Sequence, residues 1–189
     1  MAKVLEQPQG VSAAHRPPEV LEIGGGLWLE RHRLDDAPTV HELVVANREA
    51  LKPYGELPDP YLLNDVRERI FNLSVAAGAG QIAAYKIMAD GSFVGEVHLH
   101  DRIFTRAEIG YWLDQNAWGR GIMSRAAQRL IHFGLNDWRL TEILAHIEPS
   151  NARSQRVAQG LGGKLLGRSK KIFEQDEPIT DVWSIAHAA

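Results

Sequence analysis

The sequence predicts one α/β domain built on a single mixed sheet flanked by helices. Three observations predict it. Segments of β-favouring, alternating residues recur between turn residues from Gly26 to Ala186. Segments with apolar residues at helical spacing interleave with them, giving the order β-α-α-β-β-β-α-β-α-β-β. The chain has 189 residues, 44% of them apolar, with no repeat and no compositional break, which suits one domain with its own core.

The elements follow in order. Met1 to Glu19 read as a loose tail, leaving residues 20–189 as the domain. Gly24-Gly25-Gly26 precedes a strand-like stretch and reads as a turn. Gly26 to Arg33 alternates Leu27, Leu29 and Arg31 against Trp28, Glu30 and His32, as a strand does. Asp35 or Asp36 then caps a helix with Pro38 in its first turn and an apolar face of Val40, Leu43, Val44 and Leu51. Lys52 to Pro60 reads as a loop. A second helix starts near Leu62 with Val66, Ile70 and Leu73 in register. Gln81 to Met88 and Ser92 to His100 are strands joined by Asp90-Gly91, a strong hairpin signal. Asp101 to Thr105 connects to a strand over Arg106 to Leu113.

The segment Ala107 to Met123, A-E-I-G-Y-W-L-D-Q-N-A-W-G-R-G-I-M, is the most informative in the chain. A strand runs into Gly119-Arg120-Gly121, and from Ile122 the apolar residues Ile122, Ala126, Leu130 and Met123, Ala127, Ile131 form helical rows. The first N–H groups of a helix have no internal partner, and the dipole is positive there. Glycines let such a backbone approach a pyrophosphate. There is no G-x-x-x-x-G-K-[ST] and no G-x-G-x-x-G after a strand, so the two better-known phosphate loops are excluded. A strand over Thr141 to Ile147 follows. Asn151 then caps a short helix carrying Ser154, Val157, Ala158 and Leu161, which Gly162-Gly163 stops. Lys164 to Phe173 and Thr180 to Ala186 are the last strands, joined by an acidic turn from Glu174 to Pro178.

Composition narrows the function. The formal net charge of -3 argues against a general nucleic-acid-binding surface. With no cysteine, disulfides, thiolate metal sites and a cysteine nucleophile are excluded. The first twenty residues lack the apolar core of a secretory signal, and no run approaches the roughly 18 apolar residues of a membrane span. The chain reads as a soluble cytoplasmic protein with no nucleic-acid or membrane partner.

The order strand, W-G-R-G-I-M, helix, strand, N-x-x-S, helix resembles the GCN5-related N-acetyltransferases (GNAT), from about Leu27 to Ala186. The A-E-I-G-Y-W-L run is similar to the RimJ/RimL-like branch, which acetylates protein N-termini or small amines. The resemblance implies a mostly antiparallel GNAT sheet and acetyl-CoA as co-substrate, with direct attack of a primary amine in a ternary complex and no metal. It implies that the main chain of Ile109 to Leu113, including Tyr111, holds the pantetheine arm. The pyrophosphate loop maps onto Trp118, Gly119, Arg120, Gly121, Ile122 and Met123, with Ser124 beside it. Two positions depart from the family: Trp118 stands where Gln or Arg is commonest, and Met123 where a small residue is commonest. Arg120 pairs with a phosphate or is a solvated charge at the helix start. Gly110 marks a close backbone approach or a small residue under a helix. Asn151 matches the pantetheine-binding Asn. Ser154 matches the Ser proposed in RimL-like enzymes to protonate the leaving thiolate, and Ala158 stands where most of the family has Tyr.

The general base is less defined. The family Glu aligns with Phe173, next to Glu174, and a one-residue shift on a strand reverses the face. Glu108 is better placed, on the strand that meets the thioester. Glu96, His98 and His100 share one face of the neighbouring strand, where His98 or His100 relays a proton or is a surface residue. The same spacing fits a metal, which the family does not need. Tyr54, Glu56, Asp59 and Tyr61 lie where this fold shapes the acceptor pocket, and acidic residues there attract a cationic amine. The acceptor is a protein N-terminus or a small amine such as an antibiotic. A non-catalytic acyl-CoA-binding domain is the rival, and a nucleotide-binding regulator is disfavoured by the lack of Lys or Ser/Thr placed as in a nucleotide loop. The branch also implies a homodimer.

Overall fold

The computed structural model describes residues 16–52, 57–169 and 179–186. Eight strands form one sheet in the order β1-β2-β3-β4-β5-β6-β8-β7. They are β1 (Val20–Gly24), β2 (Leu27–Arg31), β3 (Ala83–Ala89), β4 (Ser92–Ile103), β5 (Arg106–Leu113), β6 (Glu142–Ile147), β7 (Lys164–Ser169) and β8 (Thr180–Ala186). Every neighbouring pair is antiparallel except β5 with β6. The helices are α1 (Ala37–Ala46), α2 (Arg48–Leu51), α3 (Leu63–Gly78), α4 (Ile122–Asn136) and α5 (Ala152–Gly160). The mixed sheet and its flanking helices are the architecture that the sequence predicts.

Alternation along the strands divides the sheet into two faces. On β5, Ala107, Ile109 and Tyr111 are buried, and on β6 so are Ile143, Ala145 and Ile147. They join Ala126, Ala127 and Leu130 of α4 in the main core. Glu108 and His146 therefore stand on the opposite face. Over β2 to β4 that face is covered by α1 and α3, whose Val40, Val44, Val66 and Ile70 form a second core. Two charged residues are buried beneath them: Lys86 bonds Asp36 at 2.8 Å, and Glu96 bonds Arg69.

Several elements differ from the sequence reading. Val20–Gly24 is a strand, missed because the short run between Pro18 and the glycine triplet shows too little alternation to be read as one. Pro18 accepts a hydrogen bond from the Tyr85 hydroxyl at 2.9 Å, and Glu19 pairs with Arg31 at 2.8 Å. The first helix breaks at Asn47, whose Nδ2 donates to the Leu43 carbonyl and whose Oδ1 accepts from the Gln115 N–H. Asp36 does not cap α1 with its side chain; it closes the preceding 3-10 turn by accepting from the Arg33 N–H at 2.6 Å. β4 runs on to Ile103, because a bulge between His100 and Ile103 absorbs residues expected to form a connection. β7 is described to Ser169; Lys170 to Phe173 and the turn from Glu174 to Pro178 lie outside the described residues.

Candidate active site

The site is built where the sheet comes apart. β5 pairs with β6 only over Arg106 to Glu108, against Glu142 to Leu144. Both strands continue, β5 to Leu113 and β6 to Ile147. Beyond Glu108 they form a fork in which the β5 main chain from Ile109 to Leu113 has no β6 partner. Extended backbone alternates its N–H and C=O groups from edge to edge, so the β5 edge that turns away from β6 presents main-chain groups toward an inserted chain.

The fork opens onto the start of α4. Gly119 and Gly121 have φ of +77° and +69°, and among the described residues a Cβ on either would meet no atom within 4 Å. Backbone conformation and the open space in front of the loop call for glycine here, not packing. Among the described residues no side chain caps α4, and its first turn holds no acidic residue. The N–H groups at the start of a 15-residue helix therefore face the opening with their positive end of the dipole.

A cleft of about 840 Å³ runs through fork and loop. It brings together Tyr111, Leu113, Trp118, Gly119, Gly121 and Ser124 from one side of the prediction, with Ile122 and Met123 beside them. Asn151 and Ser154 line its other wall. Asn151 caps α5 through its Oδ1, which accepts from the Ser154 N–H at 3.1 Å. Ser154 is 7% exposed, and its carbonyl accepts from the Tyr111 hydroxyl at 3.3 Å, tying β5 to α5 across the fork. The Trp118 indole donates to the Leu113 carbonyl at 2.9 Å, and the Arg153 guanidinium stacks on its ring at 3.9 Å. Ile109 turns its side chain into the core and offers only its main chain. Arg120 lies outside the cleft lining and reaches Asp90 at 3.4 Å on the surface.

The acid-base candidates lie on the other face. Glu96 accepts Arg69 at 2.9 and 2.7 Å and the Trp112 indole at 3.0 Å, with His32 at 3.2 Å. Burial pushes its carboxyl up, but Arg69 and then His32 outweigh that and hold it well below the usual carboxylate range. Glu96 is thus a fixed anion of the fold, poorly suited to accept a proton or bind a metal. Burial, and next the adjacent His100, push His98 down to about 3. That leaves it a weak proton acceptor, which argues against its proton relay. Its ring lies where a Gly110 Cβ would be, so glycine in this strand makes room for an imidazole. His100 bonds Asp101 at 2.9 Å, and neither His98 nor His100 lines the cleft. Ligating atoms of His100, Asp101 and Glu108 lie within 4.8 Å of one another. Glu108, which likewise does not line the cleft, stands at the last paired position of the fork, with His146 at 3.6 Å. Tyr54, Glu56 and Glu174 lie outside the described residues.

Sequence reasoning missed Arg153, Arg156 and Glu148, which line the cleft. The i, i+3 spacing of the two arginines just after Asn151 was the available signal, since it places both on one face of α5.

Comparisons with known proteins agree with this geometry. The family described as "Acetyltransferase (GNAT) domain" matches residues 26–164. The Bacillus subtilis protein named "Probable N-acetyltransferase YjcK" is 31% identical over 167 residues, covering 85% of this chain and 90% of its own. The ribosomal-protein-serine acetyltransferase of Escherichia coli is 24% identical over 167 residues, covering 87% and 93%. RimL, a ribosomal L7/L12 alpha-N-protein acetyltransferase solved with coenzyme A, shares the fold at a TM-score of 0.81 and 22% identity, over 89% of this chain and 98% of its own. The family match runs from β2 to the start of β7 and takes in the fork, the glycine loop and the helices α2, α4 and α5 that line the cleft, so the chain belongs to the GNAT family of acetyltransferases.

Proposed function

We propose that residues 20–189 form one domain that transfers an acetyl group from acetyl-CoA to a primary amine, with a protein N-terminus as acceptor. The observation that carries this reading is the β5–β6 fork opening onto the uncapped N-terminus of α4. An elongated ligand with an amide-rich arm and a pyrophosphate matches such a site: the arm enters between β5 and β6 beyond their paired residues, and the phosphates meet Gly119 to Ser124. Arg153 and Arg156 add positive charge along the same cleft. Main-chain N–H groups of Ile109 to Leu113 polarise the thioester carbonyl and stabilise the oxyanion. Ser154, at the start of α5, supplies the hydroxyl for the leaving thiolate. Asn151 holds the pantetheine arm while its side chain fixes the turn before Ser154. Glu108, at the closed end of the fork, draws the proton from the amine.

The E. coli relative acetylates a ribosomal-protein serine by its name, and this supports a protein N-terminus as acceptor. Among the described residues no helix is long and apolar enough to cross a membrane. The test is thiol release from acetyl-CoA with peptides bearing N-terminal Ser or Ala and with small amines. Turnover with the peptides is expected. Turnover only with small amines would move the acceptor, and binding of acetyl-CoA without turnover of any amine would leave a non-catalytic acyl-CoA-binding domain.

A further inference from the structure

We infer that Arg153 and Arg156 of α5 hold the 3′-phosphate of coenzyme A, so that the enzyme selects the 3′-phosphorylated cofactor over its dephospho form. The inference rests on the acetyltransferase reading above and concerns a part of the cofactor that the glycine loop does not meet. Both arginines line the cleft, on the wall that Asn151 and Ser154 begin. Among the described residues neither guanidinium has a carboxylate partner, whereas Arg69 pairs with Glu96, Arg106 with Glu142 and Arg168 with Asp181. The acidic residues of the cleft wall are engaged elsewhere: Glu49 bonds Lys52 at 2.6 Å, and Glu148 accepts from the Ser150 hydroxyl at 3.3 Å.

The placement of the two cations is costly without an anion. Arg153 is the second residue of α5, whose first turn holds no acidic residue. A cation there faces the positive end of the helix dipole, where an anion is favoured. Arg156 stands one turn on, on the same helix face, and two like charges so spaced repel. An anion held between them relieves both costs.

Trp118 sets the direction of the first guanidinium. Its indole donates to the Leu113 carbonyl at 2.9 Å, and the Arg153 guanidinium lies 3.9 Å over its ring. Stacking uses the flat face of a guanidinium and leaves its in-plane N–H donors for an anion. Trp118 stands where the family most often has Gln or Arg, so the cation beside the loop comes from α5 and not from the loop itself.

The chemistry of coenzyme A assigns the phosphate. Each phosphorus of a pyrophosphate diester carries one charge, and the N–H groups at the start of α4 suit it. The 3′-phosphate is a monoester with a second pKa near 6, so its charge at pH 7 is about −1.5 to −2. Two guanidiniums on one helix face match such a group, because each offers paired donors to its oxygens. The ribose that carries it follows directly on the pyrophosphate, and Arg153 adjoins the loop through Trp118.

The test is calorimetry with coenzyme A and with 3′-dephospho-coenzyme A on wild type, Arg153→Ala, Arg156→Ala and Arg153→Lys, with folding checked by circular dichroism. Wild type should bind coenzyme A at least about tenfold more tightly than the dephospho form, the low end for hydrogen bonds to a charged group. Each Ala variant should cut that ratio by about threefold or more while its affinity for the dephospho form stays within about threefold of wild type. A merely structural loss would lower both affinities together. Arg153→Lys should keep part of the ratio, since it retains the charge and loses the fork. Equal wild-type affinity for the two cofactors, or Ala variants that weaken both alike, overturns the inference and leaves the acetyltransferase reading standing. A wild type that binds neither cofactor overturns the acetyltransferase reading, and this inference with it.

Discussion

Glu96→Gln removes one charge from the buried network under α3 while keeping the side chain's shape. The carboxylate is 5% exposed and accepts both Arg69 nitrogens as well as the Trp112 indole. Breaking a fully buried ion pair by removing one partner costs about 3–5 kcal/mol. The Arg69 side chain keeps 35% exposure, so solvent screens part of its orphaned charge, and a loss of about 2–4 kcal/mol follows. At about 2–4 °C per kcal/mol for a domain of this size, the melting temperature should fall by roughly 4–16 °C. Urea unfolding measures the free energy directly. The pH dependence supplies a second check. Because Arg69 and His32 hold the folded carboxyl well below its usual range, the stability it contributes is present above the unfolded value of about 4.3. That stability is lost as pH falls through the folded value. The gap between wild type and variant should therefore close on acidification. A loss below 1 kcal/mol at pH 7, or a gap that widens in acid, would refute the network as described.

Two further perturbations address the cleft. Gly121→Val places a β-branched residue at φ +69°, at the mouth of the phosphate loop, and should weaken acetyl-CoA binding by at least tenfold; calorimetry on the folded variant checks it, and unchanged affinity would count against the loop. Ser154→Ala should lower kcat by roughly 10²–10⁴-fold with little change in acetyl-CoA affinity, and a rate within a few-fold of wild type while chemistry is limiting would remove Ser154 from the thiolate step.

The elements that the sequence made legible are those written in local chemistry. The helical rows of α4, the Asp90-Gly91 hairpin with φ of +51° and +83°, and the Asn151 cap needed only neighbouring residues to specify them. Most of the cleft was legible for the same reason, since Gly119 to Ser124 and Asn151 to Ser154 are two short segments. What escaped depends on register across the sheet. Glu96 looked like a spare base until Arg69, 27 residues earlier, and Trp112 were seen to occupy it. His146 meets Glu108 of β5 and Thr180 of β8, and no pattern within β6 points to either neighbour. β1 escaped for a local reason: five residues between prolines and a glycine triplet show too little alternation to be read as a strand.

The central claim is that acetyl-CoA lies in the fork between β5 and β6 with its pyrophosphate on the start of α4. A crystal structure with acetyl-CoA bound tests it most directly. The account predicts density for the pantetheine arm along Ile109 to Leu113 of β5, phosphate oxygens on the N–H groups of Gly119 to Ser124, and the thioester beside Ser154 toward the closed end at Glu108. Density for the cofactor elsewhere on the molecule, or an α4 N-terminus that stays free of phosphate in the bound complex, would contradict it.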